Sequence, residues 1–288
     1  KDFLFDAVTL SNNHIRDYGD QGVTDTIETC KHNNILTVGA GRNVEEAATP
    51  LRLNLKGKKI SVLNYSEQEY NIATEKKAGA NLFDLIDVVY QIKTEKQLND
   101  FVIVIYHGGL EFHHVPLPGL KKSLEFLIDN GADAVICHHT HVAGVHEVYK
   151  EKPICFGLGN FIFDYKVLTA LKLHQGYIVR LLLIGNNIKS YFIPIFYNKN
   201  KRNLELMDYD MEQDFQKEIS KQNVILSDEK IYNNYWNSNS NSLLTKYYSS
   251  ILHGYSFLGK IRKRLQIQFY NRKRLMIIRN YLQCDSHR

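Results

Sequence analysis

Cysteine is scarce in this chain: there are four among 288 residues, with no CxxC pair and no regular spacing. We therefore expect free buried thiols in a reducing compartment rather than a disulfide framework. Long apolar runs are missing as well. The longest, Phe101–Tyr106, falls far short of the roughly 20 residues that a membrane-spanning helix needs.

A signal peptide is also not recognisable in the first residues. The chain begins at Lys1 without a Met and enters a predicted strand almost at once, so we expect the natural N-terminus to lie further upstream. With neither a leader nor a membrane span in this stretch of sequence, the location stays open between cytoplasmic and membrane-associated.

The composition is that of a globular protein, with 44% hydrophobic and 23% charged residues, which excludes global disorder. The net charge of +5 is unevenly spread. From Leu244 onward ten Lys or Arg residues accompany one acid, Asp285, whereas the rest of the chain holds 26 basic and 30 acidic residues. The basic character therefore belongs to the C-terminal segment and not to the main domain.

Hydrophobic periodicity predicts a layered α/β fold. Two apolar strands, Phe101–Tyr106 and "GADAVIC" (131–137), follow the helical patterns Asp84–Asn99 and Leu120–Asn130. Such units place functional loops at the carboxyl ends of the strands. The remaining predicted elements are a strand in Phe3–Leu10, a helix from Asp20 or Gly22 to Asn34, and three hairpins, Leu51–Leu55 with Lys59–Tyr65, Val145–Tyr149 with Pro153–Leu158, and His174–Ile184 with Ile188–Phe196.

The chain is predicted to have two parts. Residues 1–198 form the α/β domain, and the polar stretch "NKNKRN" ends it. Asn233–Ser242 is low-complexity polar sequence, followed by short apolar stretches between basic clusters. We interpret residues 199–288 as a basic, mainly helical C-terminal extension that stands outside the core.

Polar clusters follow three of the predicted strands. They are "VTLSNNH" with Asn13 and His14, "FVIVIYHGGLE" with His107 and Glu111, and "AVICHHTHV" with His138, His139 and His141. Neutral imidazole is the commonest metal ligand in proteins. If His139 and His141 lie in extended chain, their side chains point to the same face and can serve one metal, or one metal each.

Most single histidines in proteins are structural, hydrogen-bonded residues, but three separate strand ends with the same feature favour a metal site. His113, His114 and His146 lie farther from their strand ends, so we interpret them as structural. We assign His32 to the tail of a helix.

Several of these motifs, in this order, resemble the bacterial capsule-synthesis CapA (poly-γ-glutamate capsule) family. The resemblance rests on "SNNHIRDYGDQGVTDTIETC", "GAGRNVEEAATPL" and the long stretch from "YHGGLEFHHVPLPG" through "CHHTHVAGVHEVY" to "GLGNFIFD". It runs from about Phe3 to Asp164. The family in turn resembles the calcineurin-like metallophosphoesterases, which implies a layered α/β/β/α sandwich, here N-terminally truncated, with a helical C-terminal appendage.

Four residues are implied as metal ligands by this resemblance. Asn13 resembles the amide-oxygen ligand of the superfamily's Asn-His motif, and His107 its isolated ligand histidine. His139 and His141 resemble the closing His-x-His motif, in which each histidine binds a different metal. The implied cofactors are therefore two divalent metal ions, Mn, Fe or Zn.

The resemblance also implies catalytic and supporting roles. His14 resembles the histidine that supports the leaving group or the developing charge. Asp17 and Glu111 match acidic positions of the CapA pattern, where they orient imidazoles or contact substrate. Asn160, in "GLGNFIFD", matches a late signature for which we expect a loop-fixing role.

Two departures from the superfamily pattern stand out. The Asp motif and the Gly-Asp motif, whose carboxylate bridges both metals, are absent, because the chain starts downstream of their expected place. One amide and three imidazoles without a bridging carboxylate would hold a hard divalent ion weakly. The second departure is Cys137, where phosphoesterases often have glycine. A thiol there can bind zinc, but the strand parity favours inward packing.

Two functions remain as hypotheses. The first is a metal-dependent hydrolase of capsule or exopolysaccharide production, of the poly-γ-glutamate type, acting on a phosphoester or an amide bond of the capsular polymer or its precursor. The alternative is a non-catalytic capsule-assembly factor with a residual metal site, docked to an anionic membrane or polymer through residues 260–279. A solvated helix with Lys and Arg side chains snorkelling over a small apolar stripe is the simpler explanation of that segment, and we favour it over docking. No nucleic-acid-binding motif is recognisable.

Overall fold

The computed structural model describes residues 5–163 and 173–240. Its helices are α1 (Gly19–His32), α2 (Val44–Ala47), α3 (Leu85–Leu98), α4 (Pro118–Asp129) and α5 (Tyr209–Ser227), and residues 229–240 are also helical. Its strands are β1 (Ala7–Thr9), β2 (Leu36–Val38), β3 (Ala40–Gly41), β4 (Leu51–Leu55), β5 (Lys58–Ser66), β6 (Gly79–Ala80), β7 (Phe101–His107), β8 (Ala134–His138), β9 (His146–Tyr149), β10 (Lys152–Cys155), β11 (Gln175–Ile184), β12 (Asn187–Asn198) and β13 (Asn203–Leu206). Among the helices of these residues, none has both the length and the apolar character needed to cross a membrane.

A six-stranded sheet in the order β4-β5-β7-β8-β10-β9 forms the centre of the fold. Its middle strands β5, β7, β8 and β10 run parallel, and antiparallel β4 and β9 close the edges. Both faces of β7 are buried. On one face Val102 and Val104 pack in a cluster with residues of α3 and α4, and on the other face Phe101 packs with Ile188 of β12. The sheet therefore lies between a helical layer and a second sheet, and the predicted α/β fold class is confirmed.

The second sheet is antiparallel, in the order β11-β12-β13, and it crosses the predicted domain boundary. β12 ends at Asn198, and β13 pairs with it from beyond that point. Tyr232 and Trp236 are buried in the main hydrophobic cluster. The extension from residue 199 to 240 is thus helical for the most part, as predicted, but it completes the core instead of standing outside it. The basic stretch 260–279 lies outside the described residues.

Parallel register brings three strand ends to one edge of the main sheet. Ser66 at the end of β5 pairs with His107 at the end of β7, and His107 pairs with His138 at the end of β8. The loops that follow these strands therefore begin side by side. Two of them carry histidines that the sequence singles out.

Candidate metal centre

Asn13, His107 and His139 converge at this edge of the sheet. Nε2 of His107 lies 3.1 Å from Oδ1 of Asn13 and 3.3 Å from Nδ1 of His139. Burial, and after it the neighbouring imidazoles of His139 and His138, lower the pKa of His107 to about 2. The imidazole of His107 is therefore neutral near pH 7, which is the form that binds a metal.

Buried asparagines hold the loop after β1 against the main sheet. The backbone N–H of Ser11 donates to Oδ1 of Asn64 at 2.8 Å, and the side-chain amide of Asn64 donates to a β7 carbonyl at 3.1 Å. The side-chain amide of Asn71 donates to the carbonyl of Asn12 at 2.8 Å. These bonds fix the backbone just before Asn13, which reaches the site from the loop after β1, a strand of a separate two-stranded sheet.

Glu67 brings a carboxylate to the other side of His139. Its Oε1 lies 3.3 Å from Nε2 of His139, and its side chain is only 1% exposed. Donor atoms of Glu67, Glu69 and His139 lie within 4.8 Å of one another. The sequence predicts one amide and three imidazoles without a bridging carboxylate, and Glu67 and Glu69 add two carboxylates beside His139 that this prediction does not include. Glu67 and Glu69 have no histidine near them in the sequence, so the histidine pattern does not indicate them. They nevertheless follow the end of β5, as the histidine clusters follow β7 and β8.

The backbone from His139 to His141 is not extended, although the sequence predicted it to be. β8 ends at His138, and His139 and His141 have left-handed backbones with φ of 92° and 60°. Such conformations cost free energy in non-glycine residues and are concentrated at functional sites. The two rings still lie close together, with centroids 6.3 Å apart. Their proximity comes from a tight loop and not from strand alternation.

His141 is held by Asn160 and faces Glu111. Nδ1 of His141 lies 2.9 Å from Oδ1 of Asn160. Oε1 of Glu111 lies 3.9 Å from Nε2 of His141 and 4.0 Å from Nε2 of His139. Both histidines of the closing motif therefore share one acidic neighbour, and the loop-fixing contact expected of Asn160 is present.

His14 and Asp17 lie at the exposed rim of the site. Nδ1 of His14 is 2.9 Å from a carboxylate oxygen of Asp17, and the two side chains are 73% and 56% exposed. His14 follows Asn13 directly in the chain, so its backbone begins beside the residue that contacts His107. The Asp17 carboxylate fixes the Nδ1 end of His14 and leaves Nε2 for other contacts.

Structural surroundings enclose three further histidines, His113, His114 and His146, and also Cys137. Nδ1 of His113 and Nδ1 of His114 each contact a backbone carbonyl, at 2.8 and 2.7 Å. His146 stacks on Phe192 with ring centroids 4.0 Å apart. Cys137 is fully buried in the hydrophobic core, where burial raises the pKa of its thiol, so the predicted inward packing is confirmed.

The donor set fits a divalent cation. Asn13 supplies an amide oxygen, three histidines supply imidazole nitrogens, and Glu67, Glu69 and Glu111 supply carboxylates. Mixed nitrogen and oxygen ligands of this kind suit Mn, Fe or Zn. A buried neutral imidazole and a buried carboxylate on adjacent strand ends are ligands of the kind that such an ion takes.

Comparison with known proteins points to one family. Residues 1–165 match the family model described as "Bacterial capsule synthesis protein PGA_cap". "Capsule biosynthesis protein CapA" of Bacillus anthracis is 34% identical over 170 residues, covering 57% of this chain and 41% of that protein. "PGA biosynthesis protein CapA" of Bacillus subtilis (strain 168) is 30% identical over 167 residues, covering 57% and 44%.

A more distant relative extends further along the chain. A "Probable polyglutamine synthesis accessory protein" of Mycobacterium tuberculosis (strain ATCC 25618 / H37Rv) is 29% identical over 208 residues, covering 65% of this chain and 54% of that protein. The chain spans less than half the length of the two Bacillus proteins. The family match ends before β11, so the second sheet and the helices that follow it lie outside the matched residues.

Proposed function

The chain belongs to the family of bacterial capsule synthesis proteins, PGA_cap, and on this premise we propose that it is a metal-dependent hydrolase of capsule or exopolysaccharide production, of the poly-γ-glutamate type. The bond it cleaves is a phosphoester or an amide of the capsular polymer or its precursor. The observation that carries the proposal is the convergence of Asn13, His107 and His139, whose donor atoms approach within 3.1 and 3.3 Å.

The proposed metal ligands are Asn13, His107, His139 and His141. We propose that together they hold two divalent ions. A bound divalent ion polarises a substrate oxygen and lowers the pKa of a water molecule towards neutrality. His107 suits this role because its imidazole is neutral near pH 7. Its burial keeps bulk water away from the inner face of the site, which strengthens electrostatic interactions there.

His14 and Asp17 would act on the substrate from the rim. The Asp17 carboxylate accepts from Nδ1–H of His14 and so orients the ring. Nε2 can then donate a proton to the leaving group or stabilise charge on it. The exposed position of His14 is consistent with contact to a large substrate such as a polymer.

Glu111 would position the two closing histidines or contact substrate. Its carboxylate is 43% exposed and lies about equally far from His139 and His141. From that place it can accept a hydrogen bond from a substrate amide, or attract positive charge that develops beside the two histidines.

The first test is the metal content of the full protein, measured by elemental analysis for the wild type and for a variant with both His139→Ala and His141→Ala. We expect near-stoichiometric Mn, Fe or Zn in the wild type and its loss in the variant. His32→Ala, at the exposed end of α1, is the matched control and should retain the metal. Equal, trace metal in wild type and variant would contradict the proposal.

Hydrolysis is the second test, with poly-γ-glutamate and a phosphodiester as separate substrates. We expect turnover of one of them by the wild type and a strong decrease in His14→Ala with its metal retained. Bound metal without turnover of either substrate would favour the non-catalytic assembly factor instead.

A further inference from the structure

We propose that Glu67, Glu69 and Nε2 of His139 form a divalent-cation position of their own, separate from the one that Asn13 and His107 face. The inference rests on the proposed metal-dependent function and adds two ligands to it. Neither glutamate belongs to the motifs that carry the family resemblance.

The ring of His139 divides the donors into two sets. Its Nδ1 is 3.3 Å from Nε2 of His107, which in turn is 3.1 Å from the oxygen of Asn13. Its Nε2 is 3.3 Å from Oε1 of Glu67. The two nitrogens of an imidazole point away from each other in the ring plane, so one ion cannot contact both, and a neutral imidazole has a lone pair on one nitrogen only. His139 therefore ligates through Nε2 and carries its proton on Nδ1, which makes it a ligand of the Glu67 position and not of the one that Asn13 and His107 face. The set with Glu67 therefore needs its own ion.

Glu67 is buried, and a cation beside its carboxylate would stabilise it there. Its carboxylate is 1% exposed and the His139 side chain is 7% exposed. Placing a carboxylate where water cannot reach it is costly unless positive charge or hydrogen bonds stabilise it. A divalent ion between Glu67, Glu69 and His139 supplies that charge, and the separations of their donor atoms, within 4.8 Å, are compatible with shared ligation.

The position of Glu67 is fixed by its backbone. Its N–H donates to the carbonyl of His107 at 3.0 Å, and its carbonyl accepts from the hydroxyl of Ser66 at 3.1 Å. The side-chain amide of Asn71 donates to that same hydroxyl at 2.9 Å, and Oδ1 of Asn71 accepts from the N–H of Glu69 at 3.2 Å. Both glutamates are thus held by one small network, as a preorganised ligand pair would be.

The chemistry of the two sets differs. Two carboxylates and one imidazole offer more oxygen donors than the amide of Asn13 and the imidazole of His107, and carboxylates suit Mn²⁺. We therefore expect the Glu67 position to bind Mn²⁺ and choose that ion as the probe.

The test is calorimetric titration of Mn²⁺ into the full, metal-stripped protein. We expect Glu67→Gln to lose one equivalent of Mn²⁺, or to bind it about tenfold more weakly or worse. His107→Ala should retain that equivalent and lose the other. Glu45→Gln, an exposed glutamate on α2, is the matched control and should bind as the wild type does.

Each outcome of the titration decides a different point. If Glu67→Gln binds Mn²⁺ as the wild type does while His107→Ala binds less, the Glu67 position is wrong and the proposed function stands. If both variants lose all binding together, one shared ion replaces the two positions proposed here. If the wild type binds neither Mn²⁺ nor Zn²⁺, the proposed function fails as well.

Thermal unfolding separates metal binding from folding. Without metal, Glu67→Gln should melt near the wild-type temperature, because glutamine has nearly the same size and shape as glutamate. With Mn²⁺ the wild type should gain stability and the variant should gain less. Glu67→Asp, which keeps the charge, should recover part of that gain. A metal-free variant that melts well below the wild type, with an unchanged response to Mn²⁺, would assign Glu67 to structure alone.

Discussion

Nδ1 of His141 lies 2.9 Å from Oδ1 of Asn160, and this contact determines which nitrogen of His141 faces the site. The side-chain amide of Asn160 donates to the carbonyls of His141 and Leu173, at 3.2 and 2.9 Å. The oxygen of Asn160 is therefore the atom that meets the ring, and Nδ1 of His141 must be the donor. Nε2, which lies 3.9 Å from Oε1 of Glu111, is left with a lone pair.

Asn160→Ala should weaken metal binding without removing any ligand. Loss of the acceptor frees the tautomer and the rotation of the His141 ring, and outer partners of ligating histidines typically contribute 10–100-fold in affinity, so we expect a decrease of roughly that size. Calorimetric titration with Mn²⁺ or Zn²⁺ measures it. Asn160→Asp keeps the acceptor and should lose less than Asn160→Ala; equal losses would contradict the tautomer argument.

Gly108→Ala should destabilise the fold and disturb Glu67 together. A Cβ at residue 108 would lie 2.3 Å from the hydroxyl oxygen of Tyr106 and 3.0 Å from Cδ of Glu67. Both side chains are buried, so we expect a loss of about 1–3 kcal/mol in the free energy of unfolding. Denaturant titration gives this value, and Mn²⁺ titration should show weaker binding.

Gly119→Ala is the control for this experiment. A Cβ at residue 119, in the first turn of α4, meets nothing within 4 Å. It should stabilise the protein by about 0.4–1 kcal/mol, because alanine restricts the unfolded chain. Similar losses in both variants would show that crowding at residue 108 is not the cause.

Much of the fold could be predicted from sequence because its elements have strong local signals. The apolar run Phe101–Tyr106 and the turn "KGK" correspond to β7 and to the β4–β5 hairpin. Asn43 accepts from the N–H of Glu46 at the start of α2, as expected for a helix-capping side chain. Such signals are contained within a few residues, so a single sequence is enough to recognise them.

The parts that were missed depend on contacts between distant residues. Asn233–Ser242 is low-complexity polar sequence, yet Trp236 within it and Tyr232 just before it, one helical turn apart, are buried against the loop that begins after β7. Glu67 has no histidine beside it in sequence and joins His139 only because β5 and β8 flank β7 in the sheet. Neither contact can be predicted from local composition, because both depend on the order of strands and helices in the folded protein.

Tyr232 and Trp236 should stabilise the loop after β7 through one carbonyl. The hydroxyl of Tyr232 and Nε1–H of Trp236 donate to the carbonyl of Pro116, at 2.7 and 2.9 Å. Tyr232→Phe alone leaves one donor and should cost less than about 1 kcal/mol. In a Trp236→Phe background the same change removes the last of these donors from a buried carbonyl, and we expect a cost of about 1–3 kcal/mol.

A double-mutant cycle by denaturant titration measures this coupling. Tyr209→Phe, at an exposed tyrosine of α5, is the control and should change the free energy of unfolding little in either background. Strict additivity of Tyr232→Phe and Trp236→Phe would contradict the shared-acceptor interpretation.

His146 should make the fold sensitive to acid. Its ring is stacked on Phe192 and meets Tyr177 edge-on, and its Nδ1 is buried with no hydrogen-bond partner among residues 5–163 and 173–240. Burial lowers the pKa of His146 below its usual value of 6.5. The unfolded chain therefore binds this proton at a higher pH than the folded protein does. Stability from the neutral ring is complete above pH 6.5 and is lost as the pH falls through the folded-state pKa.

His146→Phe should remove this part of the acid sensitivity while keeping the stacked ring. The free energy of unfolding of the variant, relative to the wild type, should rise as the pH falls below about 6.5, by at most about 1.4 kcal/mol per pH unit. Denaturant titrations between pH 7.5 and about pH 4.5 measure the difference. A constant offset between the two proteins would report packing alone, because packing does not depend on protonation. His32→Gln, at the exposed end of α1, should show no such slope, and a slope equal to that of His146→Phe would contradict the assignment.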